Sequence, residues 1–163
     1  MSKPVVLVHP PLGLFEMQIA ATYDVVHWPL ESEKARKNVV AAITIGHVGI
    51  SNAMIDALPE LKNIICFGVG VDGIDLAYAR KRGVGVSHGR EINHEDVADV
   101  AMGLIIAVAR SFTLGERLLR GGEWKPPLAV PPQRRLRGRK LGIVGMGAIG
   151  QALAVRAEAF GLE

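Results

Sequence analysis

Short apolar runs alternate with polar stretches through the first half of the chain. Five runs of four to seven residues predict strands over residues 4–8, 24–28, 39–45, 63–67 and 84–87. The polar or amphipathic stretches between them predict helices over residues 14–22, 31–38, 52–58 and 75–82. Parallel strands are joined by crossover helices, so this alternation predicts a parallel sheet that is covered on both faces.

The second half of the chain follows a different pattern. Asn93 is predicted to cap one long helix over residues 94–120, which is about 40 Å long at 1.5 Å per residue. Residues 97–109 are nearly all apolar, so we expect this helix to be buried on most sides and to join two domains. Gly121 and Gly122 end the helix, and residues 123–139 predict an irregular connection that contains several prolines.

A glycine-rich turn lies near the end of the chain. Residues 141–144 predict a buried strand, and residues 151–160 contain strong helix formers. Between them, Gly145, Gly147 and Gly150 have the spacing G-x-G-x-x-G, which in this context predicts a dinucleotide-binding site. The first glycine permits the turn, the second admits a pyrophosphate, and the third lets the helix pack on the strand. A turn that serves packing alone is the alternative.

The composition is that of a globular protein. Of the 163 residues, 49% are hydrophobic and 21% are charged. No apolar run reaches the ~20 residues that cross a bilayer, and the first strand follows the N-terminus without a signal-peptide pattern. The single cysteine, Cys66, lies in an apolar run and is interpreted as a buried, inert thiol. These features predict a cytoplasmic protein with no membrane partner.

The formal net charge of +3 is unevenly distributed. From Gly121 onward there are seven Lys and Arg against three Glu, and five of the seven lie within residues 134–140. A basic cluster of this kind is compatible with nucleic-acid binding, but no aromatic residue is interleaved and the cluster lies in the predicted connection. A solvated linker is the favoured interpretation, so no nucleic-acid partner is predicted.

Several motifs in fixed order resemble one protein family. The segments are CFGVGVDGIDL, NHEDVADVAMGLIIAVAR, GGEW and LRGRKLGIVGMGAIG, at residues 66–76, 93–110, 121–124 and 136–150. Together they resemble the D-isomer-specific 2-hydroxyacid dehydrogenases, and most of all the glyoxylate/hydroxypyruvate reductase branch. The resemblance implies an α/β fold, in which a flavodoxin-like doubly wound parallel-sheet substrate domain precedes a long interdomain helix and the first βα unit of a Rossmann domain.

The resemblance also implies an activity, which is the NAD(P)H-dependent reduction of small 2-keto acids to D-2-hydroxy acids. It assigns substrate binding to residues 1–92, makes residues 93–163 the start of the cofactor domain, and favours NADP over NAD. The amides of Val69 and Gly70 are expected to bind the substrate carboxylate, with a purely structural glycine turn as the alternative. The residues expected to bind the cofactor are Gly145, Met146, Gly147, Ala148, Ile149 and Gly150.

Trp124 matches a tryptophan on the dimer-forming segment of the family, so the resemblance implies a homodimer. Ordinary burial in an interface is the alternative role of this ring. Three positions depart from the family pattern: His88 replaces the usual Asn, Asp99 replaces Glu, and Ala148 replaces a frequent Arg. The change at Ala148 removes a side-chain contact to phosphate.

The catalytic arginine, carboxylate and histidine of the family are expected beyond Glu163, as is the residue that selects NAD or NADP. The five histidines of the chain match none of those contexts and are interpreted as solvated or hydrogen-bonded: His9, His27, His47, His88 and His94. No catalytic residue or metal site is therefore assigned within the chain, which is expected to be inactive alone. A non-catalytic acid-binding or dimerisation fragment is the alternative function.

Overall fold

A computed structural model describes residues 3–125 and 130–163. The chain divides into two compact units, Met1–Ile92 and Asn93–Glu163. Pro126 and Pro127 of the predicted connection lie outside the described residues.

The first unit is built on a five-stranded parallel sheet in the order β2-β1-β3-β4-β5. Its strands are β1 (Val5–Val8), β2 (Asp24–His27), β3 (Val39–Thr44), β4 (Asn63–Cys66) and β5 (Gly85–His88). Its helices are α1 (Leu14–Ala20), α2 (Glu33–Lys37), α3 (Asn52–Ala57) and α4 (Leu76–Lys81). This strand order is the flavodoxin-like one. The predicted parallel α/β architecture is confirmed.

Local capping explains where two of the helices begin. The Ser51 hydroxyl accepts a hydrogen bond from the Met54 N–H (3.3 Å) at the start of α3, as the sequence predicts. The Asp75 carboxylate accepts one from the Tyr78 N–H (2.9 Å) at the start of α4. This bond, together with one from the Asn52 side chain, lowers the pKa of Asp75 below its ordinary value.

The core of the first unit lies around β1, β3 and β4. The largest of its side chains that are less than 2% exposed are Leu7, Val8, Val39, Thr44, Ile50, Ile55, Leu58 and Ile64. Cys66 belongs to the same core, and burial raises the pKa of its thiol, so its interpretation as a buried residue is confirmed. β3 is apolar from Val39 to Ile43 because it lies in the middle of the sheet.

The loops after β3 and β4 approach each other backbone to backbone. The Gly73 N–H donates a hydrogen bond to Gly46 O (2.7 Å). A Cβ on Gly46 would lie 2.4 Å from Gly70 O, and a Cβ on Gly49 would lie 1.7 Å from Gly73 O. Only glycine permits contacts this close. We refer to Gly46, Gly49, Gly70 and Gly73 together as the glycine seam. The seam holds the loop after β4 against its neighbour.

The second unit contains the helices α5 (His94–Ala109), α6 (Phe112–Arg120) and α7 (Ala148–Ala159). The prediction of one long helix over residues 94–120 is therefore wrong, because a 64° bend separates α5 from α6. Ser111 adopts a left-handed φ of 53° at the bend, and it is followed by the weak helix formers Phe112 and Thr113. Asn93 precedes α5 as predicted, but its side chain makes no capping hydrogen bond.

None of the described helices is by itself long and apolar enough to cross a bilayer. Taken together, α5 and α6 are long and apolar enough, but the 64° bend separates them.

The apolar body of α5 is less buried than the sequence predicts. Ala98 and Met102 are buried, and Met102 packs in a small apolar cluster that includes Ala157 of α7. Other apolar residues of α5 are largely exposed: Val100 (63%), Leu104 (60%) and Val108 (78%). The expectation of burial on most sides is therefore wrong, because the described residues cover only one stripe of the helix.

Residues 141–144 do not form a strand, although their apolar run predicts one. The Leu141 N–H donates to Glu163 O (2.8 Å) and the Glu163 N–H donates to Arg139 O (2.9 Å), which is the bonding pattern of a parallel pair. Beyond Leu141 the run has no ladder partner among the described residues, and Val144 is fully exposed. A strand requires a neighbour for its backbone groups, so the strand prediction is wrong here. The helical half of the predicted unit is present as α7.

We expect Gly49→Ala to destabilise the protein by about 3 kcal/mol or more, since strain at its φ of +70° adds to a clash with Gly73 O. The matched control is Gly83→Ala, which has a φ of +72° but no described atom within 4 Å of the added Cβ. The control should lose only about 1 kcal/mol from backbone strain. Urea unfolding followed by circular dichroism measures both losses, and equal losses would contradict the role of the glycine seam.

Candidate functional site

The loop that follows β4 presents two neighbouring amide groups. It begins with Phe67 at the carboxyl end of β4, the edge of the sheet where ligands of parallel α/β folds bind. Gly68 has a φ of +123°, a conformation that favours glycine, and it turns the chain out of the strand. Among the described residues, no acceptor takes the N–H groups of Val69 or Gly70. Both residues are exposed, so both amides are available to an anion.

Two hydrogen bonds from the end of β5 hold this loop. The Gly89 N–H donates to Gly68 O (2.7 Å), and His88 Nδ1 lies 2.7 Å from Val69 O. Since a carbonyl oxygen only accepts, His88 Nδ1 carries the proton in this contact. The loop is therefore held from the β5 side by these bonds and from the β3 side by the glycine seam.

An exposed aromatic pair lies at the start of the same loop. The ring centroids of Phe15 in α1 and Phe67 are 5.0 Å apart and the rings are tilted by 48°, a favourable geometry for aromatic side chains. Each residue is 51% exposed. The sequence offered no signal that these two residues meet, because their contact depends on where α1 lies relative to β4. The pair provides an apolar surface beside the two amides.

The three glycines in the turn at residues 145–150 differ in what the structure requires of them. Gly145 has a φ of +97°, so its conformation requires glycine. Gly150 is buried, and an added Cβ would lie 2.1 Å from Gly145 O, so packing requires glycine there. Gly147 has a φ of −75°, and no described atom lies within 4 Å of its added Cβ. Neither conformation nor packing explains Gly147.

The N-terminus of α7 opens onto this turn. The first helical bond runs from the Gln151 N–H to Gly147 O (3.0 Å), so the amides before Gln151 have no partner within the helix. The Gln151 side chain donates to Met146 O (2.9 Å), which holds the turn in place. Met146 and Ile149 are 56% and 43% exposed, and Ala148 is the first helical residue. The end of this 12-residue helix is therefore suited to bind an anion.

Arg156 fastens α7 to α5. Its guanidinium contacts Glu95 Oε2 (2.7 Å) and Asp99 Oδ1 (2.6 Å). These hydrogen bonds, the one to Glu95 first, raise the pKa of Arg156 above its ordinary value. Asp99, which replaces the expected Glu, therefore helps to position the helix of the glycine turn. The sequence analysis missed Arg156, and the available signal was the spacing of two acidic residues on one face of α5.

Two of the remaining histidines make local contacts. His27 Nδ1 lies 3.1 Å from Val8 O, and its Nε2 lies 3.2 Å from Glu16 Oε2. His94 Nε2 lies 3.5 Å from Glu95 Oε1. Within residues 3–125 and 130–163, no three His, Cys, Asp or Glu side chains come together as metal ligands would. The contacts of His27 and His94 agree with their interpretation as solvated or hydrogen-bonded residues.

Comparison with known proteins decides the family. The family described as "D-isomer specific 2-hydroxyacid dehydrogenase, catalytic domain" matches residues 12–159. The chain belongs to the D-isomer-specific 2-hydroxyacid dehydrogenase family. The family resemblance seen in the sequence motifs is thereby confirmed.

Three relatives show how far this similarity extends. The chain is 39% identical to 2-ketogluconate reductase of Gluconobacter oxydans (strain 621H), over 99% of the chain and 53% of that protein. The structure of a 2-hydroxyacid dehydrogenase from Ketogulonicigenium vulgare Y25 has a TM-score of 0.90 at 31% identity, covering 99% of this chain and 53% of that one. An NADPH-dependent glyoxylate/hydroxypyruvate reductase from Sinorhizobium meliloti, in complex with NADP and malonate, has a TM-score of 0.82 at 32% identity, with coverages of 99% and 52%. The chain therefore spans about half the length of these relatives.

Proposed function

We propose that the protein containing this chain reduces small 2-keto acids to D-2-hydroxy acids with a nicotinamide cofactor. The observation that carries the proposal is a pair of adjacent amides, at Val69 and Gly70, whose N–H groups no described residue accepts, in a chain of this dehydrogenase family. A 2-keto acid has a carboxylate beside the carbonyl that is reduced. Two neighbouring N–H groups are a suitable partner for that carboxylate.

The turn at residues 145–150 fits a dinucleotide. Gly147 leaves space where a Cβ would stand, and the free amides of the α7 N-terminus lie in the same turn. The residues proposed to hold the pyrophosphate through their backbone are Gly145, Met146, Gly147, Ala148, Ile149 and Gly150. When bound, the reduced cofactor supplies the hydride that the keto carbon receives.

The residues of this chain are proposed to bind and orient rather than to transfer protons. Val69 and Gly70 anchor the carboxylate, which fixes the position of the keto carbon one bond away. Residues 1–92 are accordingly proposed as the substrate-binding domain and residues 93–163 as part of the cofactor domain. The expectation that the proton donor and the orienting arginine lie beyond Glu163 stays a prediction.

The substrate is proposed to be of the glyoxylate or hydroxypyruvate type, with NADP preferred over NAD. The Sinorhizobium meliloti reductase supports both choices, because it is named for these substrates and contains NADP. The name of the Gluconobacter oxydans relative adds 2-ketogluconate as a further candidate. A reducing compartment such as the cytoplasm is part of the proposal, since Cys66 is a buried free thiol.

We expect the protein expressed from its intact gene to oxidise NADPH when glyoxylate, hydroxypyruvate or 2-ketogluconate is added. The loss of NADPH absorbance measures the rate, and NADH is tested in parallel. The 163-residue chain alone should be at least ~100-fold slower, since it is expected to lack the proton donor. Absence of turnover with every 2-keto acid and both cofactors would refute the proposed reaction.

Gly147→Ala and Gly150→Ala separate cofactor binding from packing in the glycine turn. Gly147→Ala should leave unfolding within about 0.5 kcal/mol of wild type, yet weaken NADPH binding at least tenfold, about 1.4 kcal/mol, because its Cβ blocks the pyrophosphate. Gly150→Ala should lose about 1–3 kcal/mol of stability through its clash with Gly145 O. Urea unfolding and fluorescence titration with NADPH measure the two effects. Unchanged NADPH affinity in Gly147→Ala would argue for a turn that serves packing alone.

We also propose that two copies associate through the region of Trp124. Trp124 is 55% exposed and lines a groove of about 670 Å³, together with Phe112 (58% exposed) and Leu119 (67% exposed). Exposed apolar and aromatic side chains grouped in this way are typical of an interface core. The same groove supports the alternative function, a non-catalytic dimerisation fragment, if the intact protein shows no turnover.

Light scattering on the protein expressed from its intact gene should give the mass of a dimer for wild type and a shift toward the monomer mass for Trp124→Ala. Loss of a large aromatic side chain from an interface core weakens association strongly. Phe160→Ala is the matched control, because Phe160 is an aromatic residue of the same unit that is 47% exposed and does not line the groove. A monomeric wild-type protein would rule out the proposed dimer.

A further inference from the structure

The two bonds from the end of β5 act on the peptide groups that carry the two candidate amides. Gly68 O and the Val69 N–H belong to one peptide group, and Val69 O and the Gly70 N–H belong to the next. Both peptide groups are trans, so in each of them the C=O and the N–H point in opposite directions. A hydrogen bond that fixes the carbonyl therefore also fixes the direction of the N–H.

We propose that His88 is a positioning residue that aims the Gly70 N–H at the substrate carboxylate. This inference rests on the proposed function of the loop. His88 Nδ1 holds Val69 O at 2.7 Å, and this carbonyl belongs to the peptide group of the Gly70 amide. The Gly89 N–H holds the preceding carbonyl with its backbone, so that bond does not depend on a side chain. Of the two amides, only that of Gly70 has its N–H direction set by a side chain, and mutation can change that side chain.

The loop needs such an anchor because of its glycines. Gly68 and Gly70 flank Val69, and glycine rotates freely about its backbone bonds. On the β3 side, the glycine seam brings Gly46 against Gly70 but fixes no hydrogen bond to the Val69 carbonyl. The bond from His88 removes the remaining freedom of this peptide group. It also polarises the peptide group, which makes the Gly70 N–H a stronger donor.

Substitutions of His88 can retain, move or remove the hydrogen-bond donor. In Asn, the Nδ2 atom is as many bonds from the backbone as His Nδ1, so His88→Asn retains a donor at the same place. In Gln, the amide lies one bond further out, and Leu has no donor. We therefore expect function to follow the position of the donor rather than the charge or size of the side chain. Ser87→Ala is the control, because Ser87 is an exposed neighbour on β5.

Steady-state kinetics with glyoxylate and NADPH test the inference on the protein expressed from its intact gene. His88→Leu and His88→Gln should raise KM by about tenfold, the value of one charge-assisted hydrogen bond. The value of kcat should change by less than about threefold, because the carboxylate is bound equally in the ground and transition states. His88→Asn and Ser87→Ala should stay close to wild type. A wild-type KM in His88→Leu, or equal losses in His88→Asn and His88→Leu, would overturn the inference.

NMR of the ligand-free protein gives a readout that does not depend on turnover. The ¹⁵N shifts of the His88 ring should show a proton on Nδ1, and the amide signal of Gly70 should move in His88→Leu and return in His88→Asn. A proton on Nε2 alone, or an unmoved Gly70 signal, would overturn the positioning role even if the enzyme is active. Absence of turnover in wild type together with the expected NMR result would instead refute the proposed function, and with it the carboxylate as the target of this amide.

Discussion

The close contact between the loops after β3 and β4 is the constraint on which the candidate carboxylate site depends. A Cβ on Gly49 would fall 1.7 Å from Gly73 O, so the two backbones lie closer together than any residue with a Cβ would allow. The loop held by this contact turns at Gly68, and no described residue accepts the N–H groups of Val69 and Gly70. Unpaired amides are costly inside a protein, and here they are tolerated because they lie at the exposed edge of the sheet.

The glycine turn of the second unit follows the same physical logic. The groups proposed to bind an anion there are backbone amides, and side chains position the turn that carries them. Arg156 joins α7 to Glu95 and Asp99 of α5, and Gln151 closes the turn onto Met146. Both candidate sites are therefore proposed to recognise negative charge with the main chain. In the loop after β4, glycine is needed for conformation at Gly68 and for packing in the glycine seam. In the turn at residues 145–150, it is needed for conformation at Gly145 and packing at Gly150, and Gly147 is proposed to give access to the cofactor.

Much of the first unit was predictable because its signals are local. The five apolar runs, the cap at Ser51 and the breaks at glycine and proline each act within a few residues. The wrong predictions concern the second unit, where local sequence signals do not determine the structure. The bend at Ser111 is marked by neither glycine nor proline, and residues 141–144 satisfy the pattern of a strand without a neighbour to pair with. The exposure of Val108 on α5 likewise depends on what packs against the helix, not on its own sequence.

The amino-acid sequence by itself determined the order of strands and helices in the first unit, the family and the positions of both glycine loops. These follow from residue type and spacing, which act through backbone preferences and hydrophobic periodicity. Only the tertiary structure decided which glycine serves which purpose, that Arg156 holds α7, and that His88 reaches Val69 O. Such contacts join residues far apart in the chain, and their geometry exists only once the sheet order and helix packing bring those residues within hydrogen-bonding distance.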